Sequence, residues 1–251
     1  MGFKQFCEQV SAPTPDWFSL DSTASIDASV AAISQQCSPG EWMIKSIHGG
    51  GGVGTKGVKD ASNIDEVTRA LQAVISETKT AEGIYLEKKI EVKGGFFQIE
   101  IEVDGHQPAN GSRIVWFNAD NAKVLEIGCQ DVYVEELGIP SSIITKIKQD
   151  VSNIATASGN DTRATAEALI YKDDAGNWGH TFIEMNRRPQ VENEALAYLE
   201  CDPVTKDRRK TFVESFKRAC GVPAPLFIPS DVKWIAHGRI LVGDPNSFGR
   251  I

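Results

Sequence analysis

The 251-residue sequence predicts an α+β chain in which helices pack on antiparallel sheet. Three observations predict it. Residues 96–103 alternate strictly, with Phe97, Ile99, Ile101 and Val103 on one face and Gln98, Glu100 and Glu102 on the other, which is the period of a strand with one wetter face. Ile64, Val67, Leu71, Val74 and Ile75 recur at spacings of three and four, the stripe of an amphipathic helix. Asp104-Gly105 and the segment Asp173-Asp-Ala-Gly176-Asn are tight-turn signals, and such turns join antiparallel neighbours.

The elements follow in order. Residues 3–10 predict a short helix that stops before Pro13-Thr-Pro15. A helix is expected over 22–36, ended by Ser38-Pro-Gly40, and a strand over 41–47. This strand runs into His48-Gly-Gly-Gly-Gly-Val-Gly54-Thr-Lys-Gly57, expected as a loop. A helix over 64–78 and a strand over 83–88 come next, then the alternating strand, a strand over 113–117 and a helix over 143–157 with Ile143, Ile144, Ile147, Val151 and Ile154 inward. Strands over 165–171 and 181–186 form a hairpin, and a further helix is expected over 202–220.

Length allows one large domain or two small ones. The net charge of −8 argues against a nucleic-acid backbone as partner, because such domains usually carry a basic face. The five cysteines, Cys7, Cys37, Cys129, Cys201 and Cys220, are widely spaced with no CxxC pair, so neither a zinc site nor a disulfide framework is expected. Free thiols in a reducing, cytoplasmic setting are the expectation. There is no signal peptide and no apolar run long enough to span a membrane.

Chemistry concentrates in Thr181–Glu192. Glu184 and Asn186 stand two residues apart on a strand, so a carboxylate and an amide oxygen converge, which suits Mg²⁺ or a similar hard cation. Strict alternation puts Phe182, Glu184 and Asn186 on one face and Ile183 and Met185 on the other. The hairpin sets Glu167 beside Glu184 and Asn186; two close carboxylates repel unless a cation joins them. Arg187, Arg188, Gln190 and Glu192 follow as anion binders, a neutral hydrogen-bonder and a base. The glycine run has two uses: a surface loop, or backbone N–H groups folded around an anion. It lacks the Gly-Lys-Ser/Thr ending of a Walker motif.

The string Glu184-Met-Asn-Arg-Arg-Pro-Gln-Val-Glu192 resembles the E-M-N-x-R-x-Q-V-E signature of biotin carboxylases and their carbamoyl-phosphate synthetase relatives, of the ATP-grasp superfamily. A second string, Arg239 followed by Asp244-Pro-Asn246, resembles the strand and loop that carry a catalytic arginine in biotin carboxylases. The resemblance implies an ATP-grasp fold: a lead-in helix over 1–14, a lid subdomain with the glycine-rich loop over 15–88, and a larger antiparallel-sheet core over 89–251. It implies ATP bound by Lys4, Lys45, Gly49, Gly50, Gly51, Gly52, Gly54, Glu87 and Lys88, and Mg²⁺ or Mn²⁺ by Glu167, Glu184 and Asn186. Glu192 would be the base deprotonating bicarbonate, held by Arg188, Gln190 and Val191, and Arg239 would stabilise charge on biotin. The reaction implied is ATP-dependent phosphorylation of bicarbonate to carboxyphosphate, with CO₂ passed to biotin on a separate carrier. Biotin carboxylases also carry an N-terminal Rossmann-like domain, so an excised domain, or a reduced protein completed by a partner subunit, is expected.

The sequence departs from the family at several points. Val53 stands where Arg or Lys is usual, and Phe96, Phe97 and Gln98 where a histidine meets the nucleotide. The run of Gln, Arg and His that ends in a bicarbonate-holding lysine is missing, and no lysine lies between Lys123 and Lys146. These departures keep two other readings open: an ATP-grasp ligase for another carboxylate, and a degenerate nucleotide-binding module without catalysis.

Overall fold

The computed structural model describes residues 2–50, 52–90, 92, 94–109, 111–188, 200–201, 228–229 and 237–240. The chain divides into two compact units, residues 14–91 and residues 1–13 with 92–251.

In the smaller unit, β1 (Trp17–Ser19), α2 (Ile26–Gln36), β2 (Trp42–Gly50), β3 (Val53–Val58), α3 (Ile64–Thr78) and β4 (Ile84–Lys88) form a four-stranded antiparallel sheet, in the order β1-β4-β2-β3, with two helices. Its core is Val30, Ile33, Trp42, Ile44, Val58, Val67, Leu71, Val74, Ile84 and Leu86. α2 begins with its apolar stripe at Ile26, four residues after the expected start at residue 22. Asp21 holds the amide and hydroxyl of Thr23 in a turn, and Ser25 then accepts from the Ala28 amide as N-cap. α3 is capped by Asn63, which accepts from the Glu66 amide, and ends on Lys79 at φ +60°.

The glycine run is a hairpin more than a loop. β2 continues to Gly50 and β3 begins at Val53, with Gly50 opposite Val53. Glycine is required at two points. A Cβ on Gly49 would lie 2.3 Å from the Val53 carbonyl oxygen, and Gly54 sits at φ +73° with Thr78 Cγ2 2.7 Å from where its Cβ would be. The loop expectation for 48–57 is therefore corrected: β2 and β3 extend into it, with an irregular stretch between the Lys45–Thr55 and Gly50–Val53 pairs.

The larger unit opens with α1 (Phe3–Gln9) and continues with β5 (Phe96–Asp104), β6 (Gln107–Pro108), β7 (Gly111–Phe117), β8 (Lys123–Gln130), a 3₁₀ turn (Asp131–Leu137), α4 (Ser141–Ala157), β9 (Arg163–Lys172) and β10 (Trp178–Asn186). Glu200–Cys201 (β11) pairs with Ile228–Pro229 (β12), and β13 (His237–Ile240) pairs with β8. The main sheet runs β10-β9-β5-β7-β8-β13, all neighbours antiparallel, with β6 paired to the end of β5. α4 lays Ile144, Ile147, Val151 and Ile154 against Ile99, Ile101, Val103, Ile114, Ala164, Ala166, Ala168, Ile170 and Phe182. The helix expected over 202–220 lies outside the described residues. No helix of the described residues is long and apolar enough to cross a membrane.

The face of β5 read as wetter is buried. Glu100 is 3% exposed and Glu102 2%. Ion pairs explain this: the Arg113 guanidinium reaches Glu100, and Arg163 reaches Glu102. A buried carboxylate needs such a partner, because desolvation alone is prohibitive.

Candidate functional site

The chemistry of the larger unit sits on the sheet face turned away from α4. β9 sets its alternation plainly: Ala164, Ala166, Ala168 and Ile170 face the core, so Thr165 and Glu167 face the other way. β10 does not keep strict alternation. Phe182 pairs with Ala168 and Glu184 with Glu167, so Ile183 is an extra residue, a β-bulge. Phe182 is fully buried in the core and Met185 packs against that core, while Glu184 is exposed opposite Glu167. The expectation that Phe182 and Glu184 share a face is thereby corrected; the bulge turns the strand between them.

Glu167, Glu184 and Asn186 meet. Asn186 Nδ2 donates to Glu184 Oε1 at 2.7 Å and to Glu167 Oε1 at 3.1 Å, and Gln98 Nε2 donates to Glu167 Oε2 at 3.0 Å. The register extends this into a row across four strands: Glu184 opposite Glu167, Glu167 opposite Glu100, Glu100 opposite Arg113. Three carboxylates in a lateral row repel, and Arg113 counters at one end through Glu100 and Glu126. Burial raises the Glu126 carboxyl, but bonds from Lys123 and Arg113 outweigh it and hold the group below the usual carboxylate range.

Among the described residues no cluster of three or more His, Cys, Asp or Glu side chains is arranged as a metal cage. The donor set suits magnesium nonetheless. That ion commonly takes one or two carboxylates and completes its shell with waters and phosphate oxygens. Asn186 offers its NH₂ to both carboxylates; a half-turn of the amide would offer Oδ1 instead.

The anion-binding string divides. Arg188 is exposed just beyond Asn186, its carbonyl accepting from the Thr165 hydroxyl at 3.3 Å. Arg187 instead lines a cavity of about 200 Å³ with Phe3, Phe6 and Met185. Gln190, Val191 and Glu192 lie outside the described residues. Of Arg239 the backbone alone is described: it pairs with Glu126 across β13 and β8.

In the smaller unit, Lys45 on β2 and Glu87 on β4 come together, with Nζ 2.7 Å from Oε1 and Glu87 3% exposed. Lys88 leaves the strand on the other face, and its ammonium donates to Ser38 Oγ at 2.9 Å. Gly49, Gly50, Gly52 and Gly54 build the hairpin end, and Gly51 lies outside the described residues. The Gly54 amide donates to Glu77 Oε2 at 2.8 Å, and Lys56 bonds the same carboxylate, holding Glu77 below its usual pKa. Lys4, expected at a nucleotide phosphate, is 4% exposed, with Nζ donating to the Phe182 carbonyl at 3.0 Å.

Sequence reasoning missed β8 and the residues Gln98 and Arg113 that brace the carboxylate row. The signal for β8 was present in Val124, Leu125 and Ile127, after a turn at Asn118-Ala-Asp-Asn121.

Two antiparallel sheets with helices, a glycine hairpin in one unit and a carboxylate–amide triad on hairpin strands in the other define an ATP-grasp protein. The chain belongs to the family described as "carbamoyl-phosphate synthase L chain, ATP binding domain", whose model matches residues 2–199. Among solved structures it is similar to biotin carboxylase from Campylobacter jejuni in a β-γ-ATP complex, at 20% identity and a TM-score of 0.59 over 88% of this chain and 46% of that one. It is also similar to the biotin carboxylase domain of 2-oxoglutarate carboxylase from Hydrogenobacter thermophilus, solved with MgADP, ADP and bicarbonate, at 21% identity and a TM-score of 0.57 over 82% and 43%. A carboxyaminoimidazole ribonucleotide synthase from Aspergillus clavatus, solved with ATP, matches at 14% identity and a TM-score of 0.56 over 89% and 51%. The chain thus spans about half the length of these structures. No curated protein sequence matches it.

Proposed function

We propose that this chain is the ATP-grasp part of an ATP- and magnesium-dependent carboxylase that activates bicarbonate for transfer to biotin on a separate carrier. The observation that carries the reading is the meeting of Glu167, Glu184 and Asn186 on the face of β9 and β10 turned away from α4, produced by the bulge at Ile183. The family match and the string Glu184–Glu192 support it. Residues 15–88 act as the lid and 89–251 as the core.

Glu167, Glu184 and Asn186 would hold Mg²⁺. When bound, the ion offsets charge on the phosphates, and such electrostatic stabilisation usually dominates the catalysis of phosphoryl transfer. Lys45 and the amides of the glycine hairpin take phosphate oxygens, which requires Lys45 to exchange its bond to Glu87 for one to phosphate. Glu87 and Lys88 take the ribose and adenine. Arg188, Gln190 and Val191 hold bicarbonate, Glu192 removes its proton, and Arg239 steadies negative charge on biotin. Bicarbonate then attacks the γ-phosphorus, ADP leaves, and carboxyphosphate carries the CO₂ onward. ATP hydrolysis stimulated by bicarbonate in the wild type and abolished in Glu192→Gln tests this. ATP bound but never turned over, with or without bicarbonate, overturns it in favour of a binding module.

A second reading, an ATP-grasp ligase for a different carboxylate, is favoured by one observation. The stretch that forms β8 and the 3₁₀ turn offers no lysine between Lys123 and Lys146, where bicarbonate would be gripped. Hydrolysis stimulated by an organic carboxylate and indifferent to bicarbonate would select it.

A further inference from the structure

We infer that Lys4 is a positioning residue: its buried ammonium, bonded to the Phe182 carbonyl, fixes the bulge that aims Glu184 and Asn186. The inference rests on the metal-site reading above and deepens it. The β10 bulge falls between Phe182 and Glu184, where the ladder to β9 shifts register. Among the described residues β10 is the edge of its sheet, so its outward backbone groups beside the bulge have no neighbouring strand to pair with. At Phe182 the N-terminal segment supplies a partner for each. The Phe182 amide donates to the Pro13 carbonyl at 2.8 Å, and the Phe182 carbonyl accepts from Lys4 Nζ at 3.0 Å. Lys4 is 4% exposed, although it stands on a seven-residue helix near the start of the chain. Burying an ammonium there is costly without strong acceptors, so its placement ties α1 firmly to this carbonyl.

The consequence for the site is geometric. Phe182 stays in the core beside Ala168, and the chain must gain one residue before Glu184 to bring that carboxylate opposite Glu167. Without the two clamps on Phe182, β10 can slip one residue toward plain alternation, which swaps the faces of everything beyond it. Groups that hold ligating residues in place without touching the ion are typically worth about ten- to a hundredfold in metal affinity.

The test uses the full chain with Lys4→Met, Lys4→Gln and Lys4→Arg. Amide hydrogen exchange over 183–186 is measured without nucleotide, Mn²⁺ affinity by electron paramagnetic resonance with ADP present, and ADP affinity in EDTA. For Lys4→Met we expect about tenfold faster exchange at 183–186 with α4 and β5 unchanged, and Mn²⁺ affinity lowered about tenfold. ADP affinity in EDTA should stay at the wild-type value, and Lys4→Arg should recover both losses. If Lys4→Met does not fold, Lys4→Gln, a shorter neutral donor, gives the same readouts. Unchanged exchange at 183–186 overturns the inference. So does a fall of ADP affinity in EDTA as steep as that of Mn²⁺, which would make Lys4 a direct phosphate ligand. A wild type that binds neither Mn²⁺ nor ADP defeats the metal-site reading, while the exchange data still decide the role of Lys4.

Discussion

Two carboxylate sites, one in each unit, are satisfied in different ways. In the smaller unit, Glu87 is buried and faces the Lys45 ammonium on the next strand. In the larger, Glu184 stands exposed opposite Glu167, and the bonds that join them come from amides, Asn186 between the pair and Gln98 on the far side. A charge pair closed within the protein contributes to folding. Glu184, exposed opposite Glu167, is a carboxylate whose repulsion from its neighbour a divalent cation would relieve. The difference separates a carboxylate matched by an ammonium of the chain itself from a pair bridged by amides, and it sets different expectations for substitution at each place.

Four substitutions break or sharpen that contrast. Lys45→Met should have the largest effect on folding, about 3 kcal/mol of lost stability in denaturant titration, because it strips the ammonium from a buried carboxylate. Gly49→Ala comes next, at about 1–3 kcal/mol, since its Cβ would meet the Val53 carbonyl and force the hairpin apart. Glu184→Gln should run the other way. It relieves like-charge repulsion, so stability stays level or rises by up to about 1 kcal/mol, while Mn²⁺ binding measured with ADP is lost. A Glu184→Gln protein destabilised as much as Lys45→Met would erase the distinction between the units. Lys88→Ala should be smallest, under about 0.5 kcal/mol, because the ammonium is exposed and holds a serine hydroxyl.

A pH series probes the core beneath the site. His180 lies 3.1 Å from Asp150, which also pairs with Lys146. Burial lowers the His180 pKa, and the bond and charge of Asp150 oppose this without cancelling it. The folded state therefore binds the proton less readily than the unfolded chain. The stabilisation is full above the ordinary histidine pKa of about 6.5 and is lost as pH falls through the lower folded value. Melting temperatures should drop between pH 7 and pH 5 in the wild type and much less in His180→Gln. Equal slopes would show that His180 does not control this window.

Much of the fold is legible in the sequence because periodicity speaks for packing. The stripe from Ile64 to Ile75 gives α3 to the residue, and Ile143 to Ile154 give most of α4. The hairpin that brings β9 beside β10 follows from the turn at Asp173, while the exact pairing of Glu167 with Glu184 needs the bulge at Ile183. What stays hidden has physical causes. A bulge adds no unusual residue type, so nothing in Phe182-Ile-Glu184 announces that alternation breaks there. The burial of Glu100 and Glu102 depends on guanidinium groups from other strands, which a local pattern does not contain. The burial of Lys4 is equally invisible, because its partner is 178 positions away. The glycines read as a loop because their freedom suggests one, yet here that freedom admits the close approach of two strands.

The extra residue at Ile183 sets the parity of the site. Removing it would place Glu184 directly after Phe182, opposite Glu167 in a plain ladder and with Met185 still turned to the core, so this hairpin should tolerate the loss of Ile183. Removing Met185 instead would turn Asn186 inward, so position decides which length changes the site survives.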